Sequence, residues 1–424
     1  TVKREQVIKA VLSDSQRDKL VPGLSEIVQG TISVELTRLD DTRQGVSLDL
    51  TRSALSIPGI GWTKGNGVGA KAQFEIAGEG LQRTELKNFE LVGDGFGAQG
   101  NIVLTNGSLA SAEFSSARLS PSDNFSVAVK QSKGVFDVSI GGSSADIRPI
   151  ITKLRSATPG TSGSGSSAKS SGGATIRAKL DRMVGFNDEA LSNVTLLFAI
   201  RDGDIASADL SAVTESGQAV VSDITKGNTI SMTSGDAGAI VRFANIYNNM
   251  RGGLLNLRLR SQGSDWAGNV DIRSFALVDE QRLQSLVSTP VGRDGESLSK
   301  AVKKEIDLNA ARFQRGFASL VYRNGALSVA NGIVRGEQIG ATFQGMLRDA
   351  RGSMDMTGTF MPAYGINRLF GELPLIGAIL GNGRDRGLIG ITFKLEGVFD
   401  KPKLTINPLS IIAPGVFRQI FEFQ

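Results

Sequence analysis

The sequence contains no cysteine and no histidine. That excludes disulfides, thiol nucleophiles, thiolate metal sites and imidazole acid–base chemistry. Triads built on either residue are impossible. A glycosidase-type carboxylate pair is the one easy enzymatic option left, and nothing singles such a pair out. Asp40-Asp41 reads as a turn, and Asp188-Glu189 reads as a polar loop or a helix start. The reading is therefore of a protein that is not an enzyme and holds no cofactor or metal. Long apolar runs are missing too: no stretch approaches the ~20 residues a spanning helix needs. No signal-peptide pattern follows Thr1, so the chain reads as a fragment whose export signal or membrane anchor lies upstream. Charge of either sign is not concentrated. The balance of 47 basic and 42 acidic residues leaves +5, which gives slight support for contact with an anionic membrane surface and less for nucleic acid.

What is present is glycine, 52 residues of it, placed in turns and inside strand-like runs. Between the glycines, period-two alternation dominates. Ile32/Val34/Leu36 and Val46/Leu48/Leu50 alternate with polar neighbours. So do Phe125/Val127/Val129, Phe136/Val138/Ile140 and Val194/Leu196/Phe198/Ile200. Leu255/Leu257/Leu259 and Ile389/Ile391/Phe393/Leu395 repeat the pattern near the end. Asn106-Gly107, Asp202-Gly203 and Asn324-Gly325 are hairpin-turn signals between such runs. The chain thus predicts a mainly β fold, a long antiparallel meander with one apolar and one polar face.

Helical stretches interrupt it at Glu5–Leu20, Asp146–Leu154, Asp236–Met250, Leu283–Val287, Leu298–Ile306, Ala363–Leu380 and Pro414–Phe423. Ser156–Ala174 is Gly/Ser-rich and reads as a flexible loop that divides the chain near residue 165. The expected organisation is β-repeats over 1–155, the loop over 156–174, further β-repeats with helical insertions over 175–360, and a distinct C-terminal region over 361–424. A weak internal repeat supports tandem blocks of strands: the run from Gly107 to Phe114 resembles that from Gly203 to Leu210, and a third copy starts at Gly325.

Three features have competing meanings. Gly65-Asn-Gly67-Val-Gly69-Ala-Lys71 looks superficially like a phosphate loop, but Ala72 stands where Ser or Thr is needed, so it reads as a glycine-rich turn. Gly93-Asp-Gly-Phe-Gly97 reads as a turn or bulge. Lys300, Lys303 and Lys304 make a basic helix face, either merely solvated or in contact with anionic headgroups. In the C-terminal region, Ile366, Leu369, Phe370, Leu373 and Ile376 form an apolar stripe that Pro374 should kink, and Phe417, Ile420 and Phe421 fall together at helical spacing. These helices either cap the sheet or dip into a membrane interface or contact a partner.

The same region carries a resemblance. Leu373-Pro-Leu-Ile-Gly377, Gly387-Leu-Ile-Gly-Ile-Thr-Phe393, Gly397, Asp400-Lys-Pro402, Asn407-Pro-Leu-Ser410 and Ala413-Pro-Gly415 occur in that order. This run of about seventy residues resembles the C-terminal region of AsmA-like bacterial envelope proteins, the group that includes TamB and YhdP. The Gly/Ser-rich loop is not part of that pattern. The resemblance implies an elongated, curved β-groove of repeated strand blocks, held in the inner membrane by an upstream segment and reaching across the periplasm. It implies phospholipids as cargo, carried toward the outer membrane, and an association with outer-membrane protein assembly. About twenty to twenty-five strands at ~4.8 Å would extend on the order of 100 Å. The residues expected to line the groove are Val127, Val129, Val138, Ile140, Leu196, Phe198, Leu257, Leu259, Phe343, Ile391 and Phe393. The competing reading of the same residues is a closed core, and a one-residue slip in register would invert the face.

Overall fold

The computed structural model describes residues 7–20, 27–40, 42–57, 60–77, 82–156, 173–201, 204–225, 228–263, 265–288, 309–336, 339–362 and 391–407. They fall into two compact units, one up to Val213 and one from Thr214 onward.

The first unit opens with β1 (Val7–Leu12), α1 (Asp14–Leu20), β2 (Val28–Gly30), β3 (Ile32–Arg38), β4 (Arg43–Asp49), β5 (Ser53–Ile57) and β6 (Trp62–Lys64). It continues through β7 (Ala70–Ala77), β8 (Arg83–Gly93), β9 (Phe96–Thr105), β10 (Ser108–Arg118), β11 (Asn124–Ser132) and β12 (Val135–Asp146). After α2 (Arg148–Ser156) come β13 (Gly173–Val184), β14 (Ala190–Arg201) and β15 (Asp204–Thr214). The second unit holds β16 (Ala219–Thr225), β17 (Thr229–Ser234), α3 (Ala237–Phe243), β18 (Met250–Gln262), β19 (Asp265–Val278) and α4 (Gln281–Val287). Its remaining strands are β20 (Ala310–Arg323), β21 (Ala326–Gly336), β22 (Ile339–Arg348), β23 (Ser353–Pro362), β24 (Ile391–Val398) and β25 (Lys403–Asn407).

The fold is mainly β, as the alternation predicts. Chain-adjacent strands pair antiparallel through β7–β12 and through β16–β25. Asn106-Gly107 and Asn324-Gly325 sit in tight hairpins with φ of 51° and 77°, and of 47° and 78°. Both residues at positive φ is the geometry whose twist matches the flanking strands. The first and third repeat copies lead into β10 and β21, each the second strand of such a hairpin, and the second copy leads into β15.

Several expectations are corrected. The meander is not antiparallel throughout: β12 and β13 pair parallel, Val138 opposite Ile176 and Ile140 opposite Ala178. A parallel pair needs a crossover connection, and α2 lies in it. Gly173 and Ala174, expected in the flexible loop, already belong to β13. The helix expected over Glu5–Leu20 is half strand. Val7, Ile8 and Val11 have branched side chains suited to a pleated surface, and β1 finds a partner in β3, Ala10 opposite Val34 and Leu12 opposite Ile32. Helix begins only at Asp14, and buried Arg17 ties it down, donating to the Val28 carbonyl at 2.8 Å and pairing with Asp14. The helix expected over Asp236–Met250 is shorter. Asp236 caps it, accepting from the Ala239 amide at 2.9 Å, and Met250 opens β18. Asp188-Glu189 is a hairpin turn between β13 and β14, with Asn187 and Asp188 at positive φ, and not a helix start. The helices expected at Leu298–Ile306, Ala363–Leu380 and Pro414–Phe423 lie outside the described residues. So do Lys300, Lys303 and Lys304, the division near residue 165, and the turn at Asp202-Gly203.

Candidate functional site

The apolar face of the meander is the candidate site, and strand register builds it. In the first unit two rungs run straight across four strands. Val127, Ile140, Ala178 and Leu196 lie opposite one another in turn, and so do Val129, Val138, Ile176 and Phe198. Six of the expected groove residues therefore share one face in neighbouring positions. All six are half-buried. The next rung, Leu180 opposite Val194, is buried, and it lies toward the strand ends where α2 begins. The face is thus closed at one end and partly open further along.

The second unit, taken by itself, has the same alternation. Leu257 lies opposite Met232 and Val270, and Leu259 opposite Ile230 and Gly268. Both leucines are half-buried. Further along the ladder the face is filled. The short helix α4 places Leu283, Leu286 and Val287 over Phe275, Phe313, Ile339, Phe360, Ile391 and Phe393 in one buried cluster. Ile391 is 0% exposed and Phe393 7%. These two expected groove residues therefore sit in a packed core, because α4 returns over the strands that carry them. Phe343 is half-buried and packs against the neighbouring cluster of Ala318, Val329, Met354 and Met356. Its ring lies over Gly332 on the adjacent strand, and the ring of Phe393 lies over Gly358 in the same way. Each ring occupies the space that a side chain at the glycine would take.

Beside α4 is an apolar cavity of about 360 Å³ whose walls include Leu283, Phe313, Phe360 and Phe393. A polar cluster at its rim was not legible in the sequence. Glu280 caps α4, accepting from the Arg282 amide at 3.1 Å. The Arg282 side chain donates to it at 2.7 Å, and the Tyr247 hydroxyl donates to it from the segment after α3. Burial pushes the Tyr247 phenol well above its ordinary 10.0, and the Glu280 charge adds to the shift. Burial also pushes Glu280 upward, but the hydrogen bonds from Arg282 and Tyr247 outweigh it and hold the carboxylate below its ordinary 4.5. Only the acidic residue three or so positions from an apolar run hinted at a cap; its tyrosine partner is remote in the chain.

These shifts set a pH window. A depressed carboxylate stabilises the fold above its unfolded value and loses that contribution as pH falls through the folded value. A raised phenol stabilises it below its unfolded value and loses that as pH rises beyond. The cluster therefore contributes fully between 4.5 and 10.0 and fades on both sides. Tyr247→Phe should lower stability near neutrality by about 1.5–3 kcal/mol, the worth of a hydrogen bond to a charged group. It should also flatten the alkaline fall, as urea unfolding at neutral and at strongly alkaline pH would show.

Among the described residues, the remaining sequence candidates are turns. The glycines at 65–69 form the turn before β7, and Gly95 turns the β8–β9 hairpin at φ 87°. Asp40 closes its own turn, accepting from the Thr42 and Arg43 amides at 2.8 Å each. Ile366, Leu369, Phe370, Leu373, Ile376, Phe417, Ile420 and Phe421 lie outside the described residues. Compared with known proteins, the chain matches no family model, no curated protein and no solved structure.

Proposed function

We propose that this chain is part of a bridge-like lipid transport protein of a Gram-negative envelope, shielding phospholipid acyl chains on an apolar sheet face between the inner and outer membranes. The observation that carries the reading is the pair of in-register rungs at Val127–Leu196 and Val129–Phe198, whose large residues are only half-buried. A closed core buries such residues fully. An acyl chain of about sixteen carbons in water faces roughly 12 kcal/mol at ~0.8 kcal/mol per CH₂. An open apolar face of such rungs offsets part of that without a specific polar site, which suits a chain lacking His and Cys. The periplasmic setting and the direction of cargo rest on the resemblance at residues 373–415 alone. Mass spectrometry of the purified protein is expected to find phospholipid. Leu196→Asp combined with Phe198→Asp should strip it while strand content is retained. Protein purified from membranes without any bound lipid would end the reading.

A second reading is a scaffold for outer-membrane protein assembly, in which strands pair with client chains. It is favoured by β1, where Val7, Ile8 and Val11 are all exposed, an arrangement prone to strand addition. Photo-crosslinks from β1 to barrel precursors, in protein free of lipid, would support it over the first.

A further inference from the structure

The opposite face of the second unit carries an arrangement that the apolar ladder does not explain. Arg273 on β19 lies directly opposite Arg315 on β20, and Arg315 lies directly opposite Arg335 on β21. Neighbouring strands are about 4.8 Å apart, and like charges placed directly opposite destabilise a sheet. One carboxylate is set among them. Asp271 accepts from Arg315 at 2.8 Å and from Arg273 at 3.3 Å. Arg335 has no bonding partner among the described residues. Among the described residues the face is therefore left with uncompensated positive charge in planar, bidentate groups, the chemistry that matches phosphate.

The same patch is also apolar. Leu254 on β18 lies opposite Arg273 and is 58% exposed. Ile333 on β21 lies opposite Phe317 and is 42% exposed. The guanidinium of Arg315 stands over the Phe317 ring at 5.6 Å. A soluble polyanion or free phosphate gains nothing from exposed aliphatic side chains. A membrane surface does, because aliphatics enter the headgroup boundary while basic groups meet anionic lipid. We propose that this polar-side patch docks the second unit onto an anionic phospholipid bilayer, through Arg273, Arg315 and Arg335 with Leu254 and Ile333. The docking is separate from acyl-chain shielding, which uses the other face, so either can fail without the other.

The test is co-sedimentation of the full chain with phosphatidylcholine vesicles, with and without phosphatidylglycerol. Binding is expected only with the anionic lipid and should fall with salt. The double variant Arg315→Gln/Arg335→Gln should bind about 30-fold more weakly, two basic groups' worth of surface attraction. Its thermal midpoint should change little, because relief of the like-charge contact offsets loss of the exposed Arg315–Asp271 pair; this guards against a folding defect. Leu254→Ser/Ile333→Ser should also weaken vesicle binding. Unchanged binding by the arginine variant, equal binding to neutral vesicles, or tighter binding to double-stranded DNA than to vesicles would each overturn the proposal.

Discussion

Leu257→Asp is expected to leave the protein folded and, under the proposed lipid-shielding role, to abolish acyl-chain transfer, whereas Phe393→Asp is expected to prevent the second unit from folding. Both positions alternate with polar neighbours, and both face the same side of the meander. They differ in what covers them. Leu257 is half-buried between Met232 and Val270, so a carboxylate there keeps access to water. Phe393 is 7% exposed beneath α4, packed with Leu283, Phe313 and Phe360. A carboxylate there loses the ring's contacts, leaves a void and is buried without a partner. Loss of the phenyl group alone is worth about 3–5 kcal/mol, a large share of the 5–15 kcal/mol that holds a domain together. Circular dichroism and a fluorescent-lipid transfer assay on the two variants separate the outcomes. A folded, transfer-dead Phe393→Asp would show that α4 lifts away to open the face.

The second large effect concerns a glycine. A methyl group added at Gly358 would stand 2.4 Å from the Thr342 carbonyl oxygen and 2.5 Å from the Phe393 ring. The ring could swing, but the carbonyl belongs to the neighbouring strand's backbone and cannot. Gly358→Ala should therefore cost about 3 kcal/mol, the upper part of the range for overpacking, and Gly358→Val more. Gly65→Ala is the control: nothing lies within 4 Å of it and its φ is unexceptional, so it should be neutral or slightly stabilising, by about 0.5 kcal/mol. Urea midpoints for the variants read the difference directly. Equal midpoints would mean that the sheet relaxes around the added methyl, and that the close packing of Phe393 over Gly358 is not enforced.

Much of the strand pattern could be read from alternation, because period two is a local property. Val194/Leu196/Phe198 and Leu255/Leu257/Leu259 became β14 and β18. Other features could not be read. The strand at Val7–Leu12 has apolar pairs spaced as on a helix, and only its partner β3 decides the matter. The parallel joint of β12 and β13 is hidden behind a long connection whose composition says nothing of strand direction. The difference between an open face at Leu196 and a filled one at Ile391 depends on α4, more than a hundred residues from Ile391 in the chain. The arginine row is invisible for a related reason: Arg273, Arg315 and Arg335 align only once register is fixed.

The parallel joint has a kinetic consequence. Most pairings here link strands that are neighbours in the chain, so hairpins can form early and zip onto one another from several starting points. The β12–β13 contact is different, since its long connection must close before the first bond between the strands forms. Refolding should therefore proceed from two fronts, one ending at β12 and one beginning at β13, whose merger is the slow event. Lengthening that connection should slow the merger while leaving early hairpin formation untouched.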